Sequence, residues 1–375
     1  MGIEKIHIEQ FLDLANHHPV IDVRSPGEYL HAHIPGANNL PLFTDEERSI
    51  VGTTYKQKSR EAAIKIGLDF FGPKMKMMVE EVEGIIGNWQ SATGNKNQTI
   101  SNYSKLPVAN CILLYCWRGG MRSAAIAWLM DLYGYKVYTL AGGYKKFRNY
   151  VIDLFSFPFK FKILGGYTGS GKTELLNELQ KRGEPVIDLE KIAKHKGSAF
   201  GSIGMPQQPT QEMFENFLSV ELRRFSEIPP PEADGGAAWL EDESQRIGQV
   251  NIPNRIWATM RKSPVYFLDI PFEKRLEHLV KEYGTLDTTE MITAIERIRE
   301  KLGGLNAKNA VQFLKDRKTE ESFNILLQYY DKYYLKALHN REELNSLLTT
   351  IKSNTVSPEN ADYLTGLPHN QLENH

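Results

Sequence analysis

A cysteine followed by two glycines and two arginines is the first feature of the sequence that could perform chemistry. Cys116 directly follows the apolar run CILLY, which predicts a buried strand, and the residues from Ser123 onward predict a helix. At such a junction the first amides of the helix are unpaired, so they stabilise a thiolate or a bound oxyanion. The glycines permit a tight curl, and the arginines are expected to add positive charge. The loop comprises Trp117, Arg118, Gly119, Gly120, Met121 and Arg122.

Three roles are open for this thiol: a packed core residue, the nucleophile of a phosphatase, or a carrier of sulfur or selenium. Neighbouring glycines and arginines serve no purpose in a core, which argues against the first role. Cys111, inside the predicted strand, is instead expected to be a structural core residue. The candidate catalytic residues are therefore Cys116, Arg118 and Arg122.

The glycine-rich segment GYTGSGKT is the second candidate site. It matches the phosphate-binding pattern G-x4-G-K-T, and it lies between an apolar run and the helical stretch ELLNELQKRG, as that pattern requires. Backbone amides would wrap a diphosphate, Lys172 would neutralise its charge, and the Thr173 hydroxyl could hold Mg²⁺. The predicted diphosphate-binding residues are Gly166, Gly169, Ser170, Gly171, Lys172 and Thr173.

Two further stretches could complete this second site. In the run WLEDES, Glu241 and Asp242 follow a short apolar segment, so either could be an acid, a base or a metal ligand. The alternative for both is a solvated acidic cluster. The glycine- and serine-containing segment 194–204 could close over a bound anion, or it could be a passive loop.

Composition limits the class of protein. The chain has 375 residues, of which 41% are hydrophobic and 24% charged, as is typical of a globular protein with two or three domains. The formal net charge of −1 gives no global attraction for a polyanion, so any nucleic-acid site must be local. Two cysteines are too few for a disulfide framework, and no apolar run approaches the roughly 20 residues of a membrane span. We expect a cytoplasmic protein.

Alternation of short apolar runs with helical stretches predicts an α/β fold. Buried parallel strands are expected at 19–23, 111–115 and 136–140, and a second set begins near 159 and continues at 185–189 and 264–270. The predicted architecture is an N-terminal parallel-sheet domain, a P-loop NTPase-like α/β domain and a C-terminal helical segment. The expected limits are 1–150 for the first domain, 159–271 for the P-loop domain, 272–352 for the helical extension and 353–375 for a disordered tail.

The segment PVIDVRSPGEYLHAHIPGANNL, residues 19–40, resembles the signature of the rhodanese superfamily, and LAGGYKKFR at 140–148 is similar to its closing motif. The resemblance implies a rhodanese-like first domain. The sequence departs from it in one respect, because five residues separate Cys116 from Arg122. Simple sulfur-transferring rhodaneses usually have one fewer, whereas the related cysteine phosphatases have this longer loop. A wider loop suits a whole phosphate-like anion better than a single sulfur atom.

The motifs CWRGGMRS, GYTGSGKT, LEDESQRIG and KLGGLNAK, in this order, resemble those of the tRNA 2-selenouridine synthase family over about residues 5–350. Such enzymes convert wobble 2-thiouridine in tRNA to 2-selenouridine through an S-geranyl intermediate. The resemblance implies geranyl diphosphate and selenophosphate as substrates, with selenium transferred through Cys116. It also implies the tRNAs for Lys, Glu and Gln as partners. We expect a monomer with no covalently bound cofactor, and Mg²⁺ as an optional ion.

Contacts to tRNA are predicted in the basic stretch between the two domains, at Lys145, Lys146 and Arg148, with a solvated linker as the alternative. Two other functions stay open. One is a cysteine-dependent phosphatase with a regulatory P-loop, and the other is a P-loop kinase with a non-catalytic rhodanese-like module. A phosphatase would hydrolyse an aryl phosphate without tRNA, and a kinase would transfer phosphate from ATP, so a requirement for tRNA separates the three.

Overall fold

The computed structural model describes residues 2–93, 111–227, 236–284 and 286–365. The chain divides into two compact units, residues 1–153 and residues 154–375. Each unit contains a parallel sheet with helices, which confirms the predicted α/β fold class. Within the described ranges, no helix is both long enough and apolar enough to cross a membrane.

The first unit contains one sheet of five strands. The strands are β1 (Ile3–Ile6), β2 (Val20–Asp22), β3 (Asn38–Asn39), β4 (Cys111–Tyr115) and β5 (Lys136–Leu140). All pairs are parallel, and the order is β1-β5-β4-β2-β3. The α-helices are α1 (Ile8–Ala15), α2 (Pro26–His31), α3 (Asp45–Gln57), α4 (Arg60–Phe71), α5 (Met75–Thr93), α6 (Met121–Tyr133) and α7 (Gly143–Leu154), and Gly72–Lys74 is a 3-10 turn.

Strand β4 lies at the centre of this sheet, and all five of its residues are buried, as a continuous apolar run predicts. Successive side chains point to opposite faces. Ile112 and Leu114 pack in one core with residues of α5 and α6, whereas the Tyr115 ring meets Phe11 of α1 edge to face. The strand that ends next to Cys116 is therefore held from both sides.

The second unit contains a four-stranded parallel sheet and a small hairpin. Its strands are β6 (Phe161–Gly166), β7 (Ala238–Glu241), β8 (Arg246–Ile247), β9 (Val250–Asn251), β10 (Val265–Asp269) and β11 (Leu348–Lys352). The sheet order is β11-β10-β6-β7, and β8 pairs with β9 in antiparallel fashion.

The helices of the second unit form two groups in sequence. Those among the strands are α8 (Lys172–Lys181), α9 (Leu189–Ala193), α10 (Gln211–Glu227) and α11 (Asn254–Arg261). Those after β10 are α12 (Phe272–Tyr283), α13 (Thr288–Arg297), α14 (Arg299–Leu302), α15 (Gly304–Lys315), α16 (Thr319–His339), α17 (Leu344–Leu347) and α18 (Asp362–Thr365), the last preceded by the 3-10 turn Pro358–Ala361. Helix α8 packs against the sheet, and α12, α13, α15 and α16 share a separate core.

Two segments differ from the elements that the sequence predicts. Only Val186 of the expected strand 185–189 bridges to a neighbour, and α9 begins at Leu189 because the Asp188 side chain caps it. The predicted helical extension 272–352 ends in a strand, β11, which pairs with β10 at the edge of the sheet. The β-branched residues of its sequence, LTTIK, favour this extended conformation.

Residues 353–365 are part of the fold, although the sequence predicts a disordered tail over 353–375. Ala361 and Leu364 are buried in the core beneath α8, and the Ser353 hydroxyl donates to the Asn360 side chain at 2.8 Å. Isolated apolar residues in a polar stretch show no periodicity, and their partners lie far away in sequence, so this packing could not be predicted. Residues 366–375 lie outside the described residues.

Replacement of Leu364 by alanine tests this packing. Leu364 is 7% exposed, and the loss of its buried methyl groups should lower the free energy of unfolding by about 2 kcal/mol. The matched control is Tyr363→Ala, because Tyr363 is 54% exposed and its loss should change that free energy by less than about 0.5 kcal/mol. Urea unfolding of both variants supplies the measurement. Equal stability of Leu364→Ala and the unsubstituted protein would contradict the packing.

Candidate active sites

The Cys116 thiol lies between the end of β4 and the start of α6, and the residue is 3% exposed. Its Sγ accepts a hydrogen bond from the Gly120 N–H at 3.3 Å and lies 3.3 Å from the Ser123 hydroxyl. Burial opposes ionisation, but hydrogen bonds from the Ser123 hydroxyl and from the N–H groups of Gly120, Ser123 and Arg118 outweigh it. The pKa of the thiol is therefore lowered. The site therefore stabilises the thiolate form of Cys116 relative to a free cysteine.

The cysteine loop, residues 116–122, packs against the start of α7, which donates hydrogen bonds to it. Gly119 has a φ of +64°, and Gly143 approaches so closely that a Cβ there would overlap the Cys116 carbonyl oxygen. This approach lets the Tyr144 N–H donate to the Cys116 carbonyl at 2.8 Å and the Lys145 N–H donate to the Trp117 carbonyl at 3.0 Å. Backbone contacts thus fix the loop around the sulfur.

The two arginines of the loop have different surroundings. The Arg122 guanidinium donates two hydrogen bonds to the Glu28 carboxylate, at 2.6 and 3.3 Å, and Arg48 Nε lies 2.9 Å from the same group. Burial acts to raise the pKa of Glu28, but these two cations lower it to about 2. Arg118 is exposed, and its backbone N–H faces the sulfur. Glu28 balances the charge of Arg122. The thiolate form of Cys116 is therefore stabilised by hydrogen bonds rather than by the charge of this arginine.

Ser123 is the residue of this site that the sequence-based selection missed. Its hydroxyl lies 3.3 Å from Sγ and 3.1 Å from the Gly120 carbonyl oxygen, so its single proton can be donated to either acceptor. The sequence contains one indication of this role. Ser123 directly follows Arg122, and the first turn of a helix at this point brings its side chain back toward the end of the preceding strand.

A buried ion pair lies next to the aromatic residues of this region. Arg24 Nη2 donates to Asp22 at 2.6 Å and to the Ala32 carbonyl at 2.7 Å, and neither charged residue exceeds 1% exposure. The Arg24 guanidinium also lies 3.9 Å above the ring centre of Tyr144. Asp22 and Arg24 of the rhodanese-like signature are thus structural supports. Removing either partner would leave a buried unpaired charge, which costs about 3–5 kcal/mol.

The basic residues that the sequence predicts as tRNA contacts lie on α7. Lys145 and Lys146 are exposed, and Arg148 is half-buried. Lys145 is also the residue whose N–H supports the cysteine loop, so the basic surface begins beside that loop.

The second site is the P-loop, residues 166–173, between β6 and α8 of the second unit. Gly169 and Gly171 have φ values of +80° and +74°, and Gly171 is the N-cap of α8. The Lys172 ammonium donates to the carbonyl oxygens of Gly166 at 2.9 Å and Tyr167 at 3.4 Å. A helix N-terminus, a curled glycine loop and a lysine are thus assembled as a phosphate site requires.

Two of the predicted diphosphate-binding residues in the P-loop, Ser170 and Thr173, carry hydroxyl groups. Ser170 is 1% exposed, and within the described part of the chain its hydroxyl has no hydrogen-bond partner. The Thr173 hydroxyl donates to a Glu190 carboxyl oxygen at 3.4 Å. Hydroxyl and carboxylate oxygens are ligands that Mg²⁺ accepts, so Thr173 and Glu190 fit the predicted metal position.

A hydrogen-bonded tyrosine anchors the strand that leads into the P-loop. The Tyr334 hydroxyl accepts a hydrogen bond from the Gly166 N–H at 3.1 Å and donates one to Asp242 at 2.8 Å. Arg341 forms an ion pair with the other oxygen of Asp242. Both carboxylate oxygens of Asp242 are therefore engaged, and the geometry makes this residue a support of the loop.

Three other carboxyl groups line the same pocket as the P-loop. Glu241 is 1% exposed and accepts a hydrogen bond from the Leu189 N–H at 3.1 Å, and burial raises its pKa. Burial and the neighbouring Glu243 raise the pKa of Glu190 to about 8, although Lys172 opposes the shift. Burial also raises the pKa of Glu243. Glu190 is not among the site residues that the sequence predicts. The indication that could have identified it is an acidic residue directly after the apolar run PVIDL.

A cavity of about 930 Å³ opens beside the P-loop. The segment 194–204, which the sequence predicts either as a closing loop or as a passive one, contributes residues 195–199 to its wall, and Gly197 lies directly against the Glu243 carboxylate. The rest of the wall includes basic residues such as Arg246, Arg261, Arg297 and Lys301. It also includes six aromatic residues, which are Trp257, Tyr283, Tyr329, Tyr330, Tyr333 and Tyr334. The cavity therefore has a phosphate-binding end and an aromatic wall, which suits a ligand with an anionic head and an apolar body.

One group of side chains in this cavity could hold a metal ion. Glu174, His278 and Glu282 each offer a ligand atom, and these atoms lie within 4.8 Å of one another. Glu282 also pairs with Lys196 at 2.6 Å, so part of its charge is already balanced.

Comparison with known proteins identifies both units. Residues 159–356 match the family model of the tRNA 2-selenouridine synthase AAA domain, and residues 7–68 match that of the rhodanese-like domain. Among solved structures, the N-terminal domain of a protein from Clostridium difficile 630 is 37% identical, with a TM-score of 0.31 and coverage of 40% of this chain and 99% of that one.

Similar full-length proteins carry the same description. A tRNA 2-selenouridine synthase of Nitrosomonas europaea is 32% identical over 371 residues, covering 86% of this chain and 90% of that protein. Its counterpart in Hydrogenovibrio crunogenus is 37% identical over 348 residues, covering 84% of this chain and 88% of that protein. Coverage of this extent includes the cysteine loop and the P-loop, and the chain belongs to the tRNA 2-selenouridine synthase family.

Proposed function

We propose that this enzyme converts wobble 2-thiouridine in tRNA to 2-selenouridine in two steps. Geranyl diphosphate first alkylates the sulfur, and selenium from selenophosphate then replaces the alkylated sulfur in a step that requires Cys116. The observation that carries the proposal is the cavity in which a P-loop adjoins an aromatic wall, in a chain that also has a thiolate-favouring cysteine loop. The proposed partners are the tRNAs for Lys, Glu and Gln.

The order of the two steps follows from the chemistry of the base. A thiocarbonyl sulfur is a poor leaving group, so selenium cannot replace it directly. Alkylation converts C2 of the base into an isothiourea-like centre, from which a neutral thiol departs. Alkylation must therefore come before the selenium step.

The P-loop suits the alkylation step. Lys172 and the amides of residues 169–173 would bind the diphosphate and stabilise the charge that develops on it as the bond to the geranyl carbon breaks. Lys172 would exchange its two carbonyl acceptors in the loop for diphosphate oxygens. The tyrosines of the cavity wall would contact the apolar chain. Thr173 and Glu190 would hold Mg²⁺, which when bound would supply further neutralisation of the diphosphate.

Nucleoside mass spectrometry tests the proposal as a whole. The protein is incubated with 2-thiouridine tRNA, geranyl diphosphate and selenophosphate, and 2-selenouridine should appear only when both donors are present. With geranyl diphosphate alone, S-geranyl-2-thiouridine should accumulate. Hydrolysis of an aryl phosphate or phosphoryl transfer from ATP, without any change in the tRNA, would favour the phosphatase or the kinase instead.

Lys172→Ala should slow geranylation by about 10²–10³-fold, because the substitution removes the point charge from the diphosphate site. Selenation of tRNA that has been geranylated beforehand should be nearly unchanged. Lys181→Ala, an exposed site in the last turn of the same helix, is the matched control and should behave like the unsubstituted enzyme. Unimpaired geranylation by Lys172→Ala at limiting geranyl diphosphate would refute this use of the P-loop.

Cys116→Ser should abolish selenation and leave geranylation intact, so that S-geranyl-2-thiouridine accumulates in the tRNA. Serine has nearly the same size as cysteine but lacks the nucleophilicity of a thiolate. Cys111→Ser is the control, because Cys111 is a buried strand residue away from the loop. A wild-type rate of 2-selenouridine formation by Cys116→Ser would exclude a role for the thiol, and loss of geranylation would contradict the division into two steps.

Charge reversal of the exposed residues Lys145 and Lys146 should weaken tRNA binding and reduce its dependence on salt. Each lost phosphate contact should lower the slope of log affinity against log salt concentration by about 0.7–0.9. Binding measured over a range of salt concentrations gives this slope. Charge reversal of Lys262 and Lys315 together, two exposed lysines on the second unit, serves as a control for net charge. An unchanged slope after charge reversal of Lys145 and Lys146 would show that this surface does not bind the tRNA backbone.

A further inference from the structure

We propose that the Cys116 thiolate attacks the phosphorus atom of selenophosphate, forming a phosphocysteine and releasing selenide for attack on the activated base. This inference rests on the proposed function, and it specifies the atom on which Cys116 acts.

Electron balance separates attack at phosphorus from attack at selenium. If the thiolate bonded to selenium, the electron pair of the P–Se bond would leave on phosphorus, and the product would be a phosphite-level species with an oxidised selenium on the cysteine. That selenium would need a reductant before it could enter the base. If the thiolate bonds to phosphorus, an S–P bond forms and the P–Se pair leaves on selenium. Selenide then takes a proton from water, and no other redox partner is required.

The dimensions of the cysteine loop agree with attack on a phosphoryl group. Five residues lie between Cys116 and Arg122, and the N–H groups of Arg118, Gly120 and Ser123 converge on Sγ. N–H groups that surround a nucleophile in this way can also bind the oxygens of the group under attack. A single selenium atom offers no such oxygens.

Arg122 closes the cysteine loop and has N–H donors that Glu28 does not use. Glu28 takes two of its N–H groups in a fixed geometry, and the arginine side chain is still 22% exposed. A guanidinium has five N–H donors, so others are available to an anion in the loop. The Glu28 pair thus orients Arg122 and leaves its remaining edge for the substrate.

Ser123 explains how the cysteine would be regenerated. Its hydroxyl lies 3.3 Å from Sγ, so it can turn its proton from the Gly120 carbonyl to the sulfur and stabilise the thiolate that departs when water attacks the phosphocysteine. The lowered pKa of the thiol likewise makes sulfur a better leaving group. Meanwhile selenide attacks C2 of the S-geranyl base, a C–Se bond forms, the C–S bond breaks and geranylthiol departs with a proton. Hydrolysis of the S–P bond then releases phosphate and restores the thiolate.

The test follows phosphorus and selenium separately. The enzyme is incubated anaerobically with selenophosphate, once without tRNA and once with S-geranyl-2-thiouridine tRNA, and is then quenched and denatured. ³¹P NMR detects a sulfur-bound phosphoryl group, and intact-mass isotope patterns detect selenium on the protein. Released selenide is trapped with an alkylating reagent.

Ser123→Ala should accumulate phosphocysteine toward one per chain, with an equal amount of selenide. Its hydrolysis should be about 10- to 100-fold slower than in the unsubstituted enzyme, which is the loss expected for one hydrogen bond to a charged group. Cys116→Ser should give neither product, and Cys111→Ser should behave like the unsubstituted enzyme.

Selenium on Cys116 without phosphorus would overturn the inference, as would the absence of phosphocysteine from Ser123→Ala in both incubations. Selenide release by Cys116→Ser would also overturn it. The proposed function has its own readout, the formation of 2-selenouridine. If phosphocysteine forms but no 2-selenouridine appears in the tRNA, the proposed function is rejected and this inference stands. If 2-selenouridine appears without phosphocysteine, this inference is rejected and the proposed function stands.

Discussion

The first N–H groups of an α-helix have no partner within that helix, and both candidate sites lie where a parallel strand is followed by such a helix end. In the first unit the amides around Gly120 face the Cys116 sulfur. In the second, the first N–H groups of α8 follow a curled glycine loop, in which the Ser170 N–H donates to the Tyr167 carbonyl. The donors belong to the backbone, so both sites depend on backbone conformation more than on side-chain rotamers. Gly119 and Gly171, both with positive φ, are therefore as important as the residues that react.

Each loop is also fixed by a partner that is distant in sequence. The start of α7 donates to two carbonyls of the cysteine loop, and Arg275 donates to the Thr168 carbonyl at 3.1 Å while forming a two-point ion pair with Asp331. Donors that are held in place before the substrate arrives need no reorganisation during the reaction, which is what makes them effective in stabilising developing charge. The supports are thus part of the chemistry although they contact no substrate.

The local sequence predicts the reacting groups. The supporting residues could not be predicted, because they contact the loops from positions far away in the chain. Cys116 and Lys172 were found because the strand, the glycines and the helix that define each loop are contiguous in the chain. The pairing of Arg122 with Glu28 joins residues that lie 94 positions apart, and the contact between Tyr334 and Asp242 spans 92. No spacing rule links such residues. The buried turn around Ala361 was missed for the same reason, since its packing partners lie on α8.

The Tyr334 hydroxyl has a consequence for how this enzyme could have evolved. It comes from α16, far along the chain from Gly166 in β6 and from Asp242 directly after β7, and its oxygen atom is hydrogen-bonded to both residues. A gene fragment that ended after β10 would leave a buried N–H and a buried carboxylate without this partner, at a cost of about 1–3 kcal/mol for each unsatisfied group. Recombination between relatives should therefore preserve the P-loop and the late helices as one inherited block. The sequence-based division at residue 271 would be a poor point of exchange.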